Sequence, residues 1–191
     1  MVIVDAMRAY RLLGVASALL PYLFILVSIA ESPWFNIYNN ALSDLGNYQN
    51  APVAYVYNSG LMVGGVLIIL FSCLVCYYNR KRSFYTWAAL LGAAGVFLAL
   101  IGVFPENAGA IHGELSVGFF ALIAISLLVF SYLSWPVGSP GTGALALVLG
   151  IASVIVWTVQ WPWHGVAIQE SVTSAFAAIW LLSVSLHTLK D

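Results

Sequence analysis

Charge is what this chain has least of: 7% of its 191 residues are Asp, Glu, Lys or Arg, against about 25% in a soluble domain. With 62% apolar residues and a mean hydropathy of +0.98, there is too little polar surface to cover a water-soluble globule, so most of the chain belongs in lipid. Positive charge is especially scarce. Six Lys and Arg against seven Asp and Glu assemble no basic patch, which excludes nucleic acid as a partner. Cysteine is nearly absent as well. Cys73 and Cys76 stand three positions apart in an apolar run, where they make no disulfide framework or cysteine zinc site and read as small hydrophobes. Catalytic signatures such as His-Glu-x-x-His and Gly-x-Ser-x-Gly are also missing.

Long apolar runs are what the chain has instead. Stretches free of charged residues cover 12–30, 45–79, 83–105, 115–169 and 171–189. A bilayer core of about 30 Å takes roughly 20 helical residues at 1.5 Å rise, so the run 115–169 is long enough for two spans. It divides at Trp135-Pro136-Val137-Gly138-Ser139-Pro140-Gly141-Thr142-Gly143, where two prolines and three glycines interrupt it. The expectation is an all-α, polytopic membrane protein: one transmembrane domain over 1–191, a six-helix bundle with spans at about 9–31, 53–78, 84–104, 111–135, 143–161 and 166–188. The first run is longer than a signal-peptide core and is followed by Glu31-Ser32-Pro33-Trp34, not by a small-residue cleavage site, so it reads as a membrane helix.

Basic residues orient such a bundle. With six spans, Arg8, Arg11, Arg80, Lys81, Arg82 and Lys190 all fall on one side, which predicts a multi-pass protein of the cell membrane with both termini cytoplasmic. Five of the seven acids (Glu31, Asp44, Glu106, Glu114 and Glu170) and His112 and His164 then gather at the extracytoplasmic ends. Aromatic residues fall near both predicted interfaces, as membrane anchors do. Small residues on the third span (Ala88, Ala89, Gly92, Ala93, Gly95, Ala99), with Gly60 and Gly64 on the second, suit helices that pack without a hydrophobic drive.

The outer polar residues follow a pattern that solvated helix ends do not require. His112 and Ser116 are four apart on one helical face, Glu170 and Ser174 four apart on another, and Gln160, Asn58 and Ser59 add polar groups near the same end. The loop 32–52 between the first two spans carries Ser43 and Asp44 among Trp34, Phe35, Ile37, Tyr38, Leu42 and Leu45. It is too apolar to float in water, so it is expected to fold over the outer opening with Ser43 and Asp44 turned inward. His112, at the start of the fourth span, should face the bundle and find a polar partner in Asp44, Glu170 or Asn58.

Ser43-Asp44-Leu45-Gly46, Asn58-Ser59-Gly60, and Gly102-Val103-Phe104-Pro105 followed by His112 resemble a six-pass prokaryotic membrane family of unknown function. More distantly they resemble the Frag/DRAM/Sfk group of eukaryotic six-pass proteins, which share a Ser-Asp-x-Gly loop and a helix-4 histidine. The likeness covers about residues 36–120. It implies a six-helix bundle and lipid-related work, one eukaryotic branch being associated with lipid remodelling of GPI anchors. It would make Ser43, Asp44, Asn58 and His112 the family positions.

Two functions stay open. One is binding of a lipid or small molecule at the outer polar site, with membrane lipids as partners and Asn58, Glu106, His164, Glu170 and Gln160 around the ligand. The alternative is an intramembrane lipid-modifying hydrolase with His112, Asp44 and Ser43 as the catalytic group. In a metal-dependent version, His112, His164 and Asp44 with Glu106 or Glu170 would hold a divalent ion such as zinc. Haem ligation by His112 and His164 is a third, minor reading.

Overall fold

The structure is a computed structural model that describes residues 2–49, 51–78, 82–137 and 139–187. Six helices, α1 (Val2–Ala30), α2 (Ala54–Tyr78), α3 (Ser83–Val103), α4 (Ala110–Ser134), α5 (Pro140–Thr158) and α6 (Ala167–His187), are each long and apolar enough to cross a membrane. The chain is a multi-pass membrane protein, all-helical among the described residues. Arg80, Lys81 and Lys190, on which part of the expected orientation rests, lie outside the described residues.

The helix bounds differ from the expected spans by more than one residue at three ends, each for a local reason. Helix α1 starts at Val2 rather than near residue 9, because backbone helicity continues through Asp5 and Arg8 into the apolar residues Val2-Ile3-Val4, charges that bound a membrane span without ending a helix. Helix α5 starts at Pro140 rather than 143, since a proline in the first turn already has helical φ and an amide that needs no partner. It stops at Thr158, with Val159 extended at φ −83° and ψ 138°, just ahead of Trp161-Pro162, where the residue before proline resists the helical region.

Each helix packs on its neighbours in sequence, and α6 returns to α1, so the six close into a ring. The tightest crossing is that of α2 on α3: a Cβ on Gly65 would overlap the carbonyl of Gly95 and the amide of Ala99, which is the small-residue contact that lets apolar helices associate in lipid. Toward the end of the ring that holds Arg8 and Arg82, the centre is filled by Phe84, Trp87, Phe130 and Trp180. Trp87 meets Phe130 at 4.9 Å and Trp180 at 5.5 Å between ring centroids, edge to face. The other end is roofed by the α1–α2 loop, whose 3₁₀ turn Leu42–Gly46 is buried at Leu42, Ser43, Leu45 and Gly46.

Candidate functional site

The roof is fastened on three sides. Main-chain amides of His164 and Gly165 donate to the Tyr38 carbonyl at 3.1 and 2.8 Å, and that of Ala167 donates to Asn40 at 2.9 Å, joining the loop to the α5–α6 turn. Gly165 lies so close to the Asn40 backbone that a Cβ there would overlap it. Asn47 donates through Nδ2 to Glu106 Oε2 at 2.8 Å and the Tyr48 amide to Asn107 Oδ1 at 3.3 Å, which tie the loop to the α3–α4 turn. Asn58, buried at the start of α2, donates through Nδ2 to the Gly46 carbonyl at 2.8 Å. Within the loop, Asp44 Oδ2 accepts from Asn40 Nδ2 at 2.8 Å and from the Ala41 amide at 3.0 Å. This is the local turn-holding role that a short carboxylate plays at a 3₁₀ start.

Under the roof lie two adjacent hollows. An interior cavity of about 90 Å³ runs down the ring from Leu42 and Ser43 past Tyr57 and Glu170 to Leu181. A groove of about 570 Å³ lies between α4, α5 and the start of α6, lined by His112, Ser153 and Trp157 among others. Ser43, Ser116, Phe120 and Glu170 line both. Val117, 72% exposed, and Val154 belong to the groove's lip, so it opens sideways onto the apolar flank of the bundle. The reason is visible along α4 and α5. They close at Gly143 on Ser134 and at Gly150 on Leu127 and Leu128, whereas nearer the roof they meet through the bulky rings of Phe120 and Trp157, 4.8 Å apart.

His112 is the best-defined group in the groove. Gly109, at φ +71°, turns the chain into α4, and a positive φ is readily held only by glycine. The turn brings His112 Nδ1 to 2.8 Å from the Phe104 carbonyl. A carbonyl only accepts, so Nδ1 carries the proton, and Nε2 of the neutral ring is left as a lone-pair acceptor. His112 is 6% exposed, and Nε2 is buried without a protein partner. Across the groove Glu170, 8% exposed, accepts the Leu42 amide on Oε2. It thus fastens the roof and lines both hollows.

The expected site residues therefore divide. Ser43, His112 and Glu170 come together on the hollows, with Ser116 and Ser174 beside them. Asn58, Glu106 and Asp44 fasten the roof, and Asp44, only half-buried, lines neither hollow; the expectation that it turns inward is corrected, because its carboxylate is taken by Asn40 and Ala41. Gln160 and His164 are exposed and line neither hollow. Among the described residues no three of His, Cys, Asp and Glu are grouped to hold a metal ion, so the set His112, His164 and Asp44 considered for zinc is not assembled. The partner expected for His112 among Asp44, Glu170 and Asn58 is instead the Phe104 carbonyl. Several lining groups carry no signal of their role in the sequence, but two do. Ser17 lies four residues ahead of Pro21, a proline inside α1 that leaves the Ser17 carbonyl without its helical donor; both line the interior cavity. A proline within an apolar run was the available signal.

The profile of the family described as "Protein of unknown function (DUF998)" matches residues 15–187. No curated protein and no solved structure matches the chain. The likeness to the Frag/DRAM/Sfk group rests on its short sequence motifs alone.

Proposed function

Starting from membership of the DUF998 family, to which this chain belongs, we propose that the protein binds a membrane amphiphile, a lipid or lipid-like small molecule. Its polar head sits among Ser43, His112, Ser116 and Glu170, and its apolar tail lies in the α4–α5 groove. The observation that carries this reading is His112 Nε2, an acceptor buried in the groove wall with no protein partner. Burying such a group unpaired costs about 1–3 kcal/mol, a cost that a ligand donor removes. The sideways opening suits a molecule arriving from the bilayer, and the residues' resemblance to a group with a lipid-remodelling branch points the same way. The roofed end faces away from the cytoplasm in this reading, with both termini cytoplasmic in the cell membrane. A cysteine placed at Asn47 should then label from outside intact cells, and labelling only after permeabilisation would reverse the orientation.

The test is lipid occupancy of the purified protein by native mass spectrometry. Wild type should carry a bound amphiphile, and His112→Ala should lower its occupancy at least tenfold while leaving helix content intact. Equal occupancy in both would end the proposal. The same lone pair favours one second reading, a hydrolase in which His112 Nε2 takes the proton of a hydroxyl or water in the hollow. Release of fatty acid from an ester-linked lipid by wild type and not by His112→Ala would establish it.

A further inference from the structure

We infer that the head group of the amphiphile is a protonated amine, held by the Glu170 carboxylate and by His112 Nε2; this rests on the binding reading above and specifies its ligand class. The argument is one of complementarity. Glu170 is buried to 8% exposure in the wall common to both hollows, and the donor on it is the neutral Leu42 amide. The other polar side chains lining the interior cavity are all hydroxyls, Tyr22, Ser43, Tyr57, Ser116 and Ser174 among them. The described arginines, Arg8, Arg11 and Arg82, are exposed near the opposite end of the ring. A carboxylate in low dielectric with only neutral donors keeps most of its desolvation cost, and an arriving cation is the group that offsets it.

His112 supplies the independent observation. Its Nδ1 lies against the Phe104 carbonyl, which only accepts, so in the neutral tautomer Nε2 is an acceptor, buried without a protein partner on a residue that lines the groove. Two acceptors meet an ammonium with three N–H donors, and the charge of the ammonium holds the Glu170 carboxyl in its ionised form. A phosphate or carboxylate head would meet Glu170 as a like charge, with Asp44 and Glu106 at the same end and no described lysine or arginine lining either hollow. Phe120 and Trp157 add ring faces, which favour a cation over an anion. The apolar lining of the groove, from Val117 to Val154, commits the occupant to an amine with a hydrocarbon tail.

The experiment compares probes that share a twelve-carbon chain, dodecylamine, dodecanol and dodecanoate, plus tail-less ethanolamine. Binding to the full-length protein in maltoside micelles near neutral pH is read from ligand-dependent thermal stabilisation. Dodecylamine should half-saturate at a concentration at least tenfold below dodecanol and dodecanoate, and ethanolamine should neither stabilise nor compete. Glu170→Gln, which keeps an acceptor for the Leu42 amide, should lose the preference for the amine, dodecylamine and dodecanol then half-saturating within about threefold of each other. Should dodecanol match dodecylamine on wild type, or the variant keep the preference, the amine assignment is overturned while the lipid site stands. Ethanolamine binding as well as dodecylamine would overturn the membrane source. Failure of every twelve-carbon probe to bind would remove the site itself. The wild-type series stands alone if the variant does not fold.

Discussion

The two halves of this bundle are built from the same helices and solve opposite problems. In the half nearest Arg8 and Arg82, Phe84, Trp87, Phe130 and Trp180 fill the centre, with Trp87 and Trp180 wholly buried and their rings stacked edge to face. In the roofed half the centre is hollow, and its walls carry Ser43, Ser116, Glu170 and His112. Filling a ring of helices takes side chains as large as indoles. Where serine and alanine replace them, space remains and polar groups can face it. The unpaired groups differ in kind as well. The indole N–H groups of Trp87 and Trp180 have no hydrogen-bond partner but sit within an aromatic cluster whose ring faces can accept weakly. His112 Nε2 sits beside a hollow. One half is filled by its own side chains; the other leaves the space that the proposed amphiphile would occupy.

If the halves are separate devices, the aromatic half should carry stability and little binding. Trp180→Ala is the largest change, about 3–5 kcal/mol for a fully buried ring, measured as unfolding in bicelles. Amphiphile affinity of the protein that remains folded should stay within about threefold, a margin of about 0.7 kcal/mol. A tenfold loss would mean that the hollow depends on the plug.

A middle effect is expected at the seam between roof and bundle. Gly165→Ala forces a Cβ against the Asn40 backbone and should cost about 1–3 kcal/mol. Because the contact belongs to the roof, it should also raise hydrogen exchange of the Leu42–Gly46 turn. Unchanged exchange there would show that the roof does not rely on this approach.

The smallest effect separates fastening from chemistry within the roof itself. Asp44→Ala removes the acceptor for the Ala41 amide and the Asn40 side chain and should cost about 1 kcal/mol, with lipid occupancy retained. Loss of occupancy as complete as that of His112→Ala would return Asp44 to the site.

The sequence by itself determined the membrane class and the six spans, because a helix that crosses lipid must be apolar along its whole length and charge-free runs are therefore countable. It also predicted the apolar loop as a cover and His112 with Ser116 on one face, since four-residue spacing is a local property of the helix. It could not separate roof fasteners from lining groups. Asp44 and Glu170 are equally plausible acids at one end of the chain's topology, and only the ring closure of α6 on α1, with the loop laid across it, puts Glu170 against Leu42 and the hollow and leaves Asp44 turned to Asn40. The proton position on His112 was likewise undecided until the turn at Gly109 set the ring against the Phe104 carbonyl. Spans follow from composition, which each segment carries within itself. Which polar atoms meet, and which are left without a partner, depends on contacts between segments far apart in sequence, and the tertiary structure alone decides those.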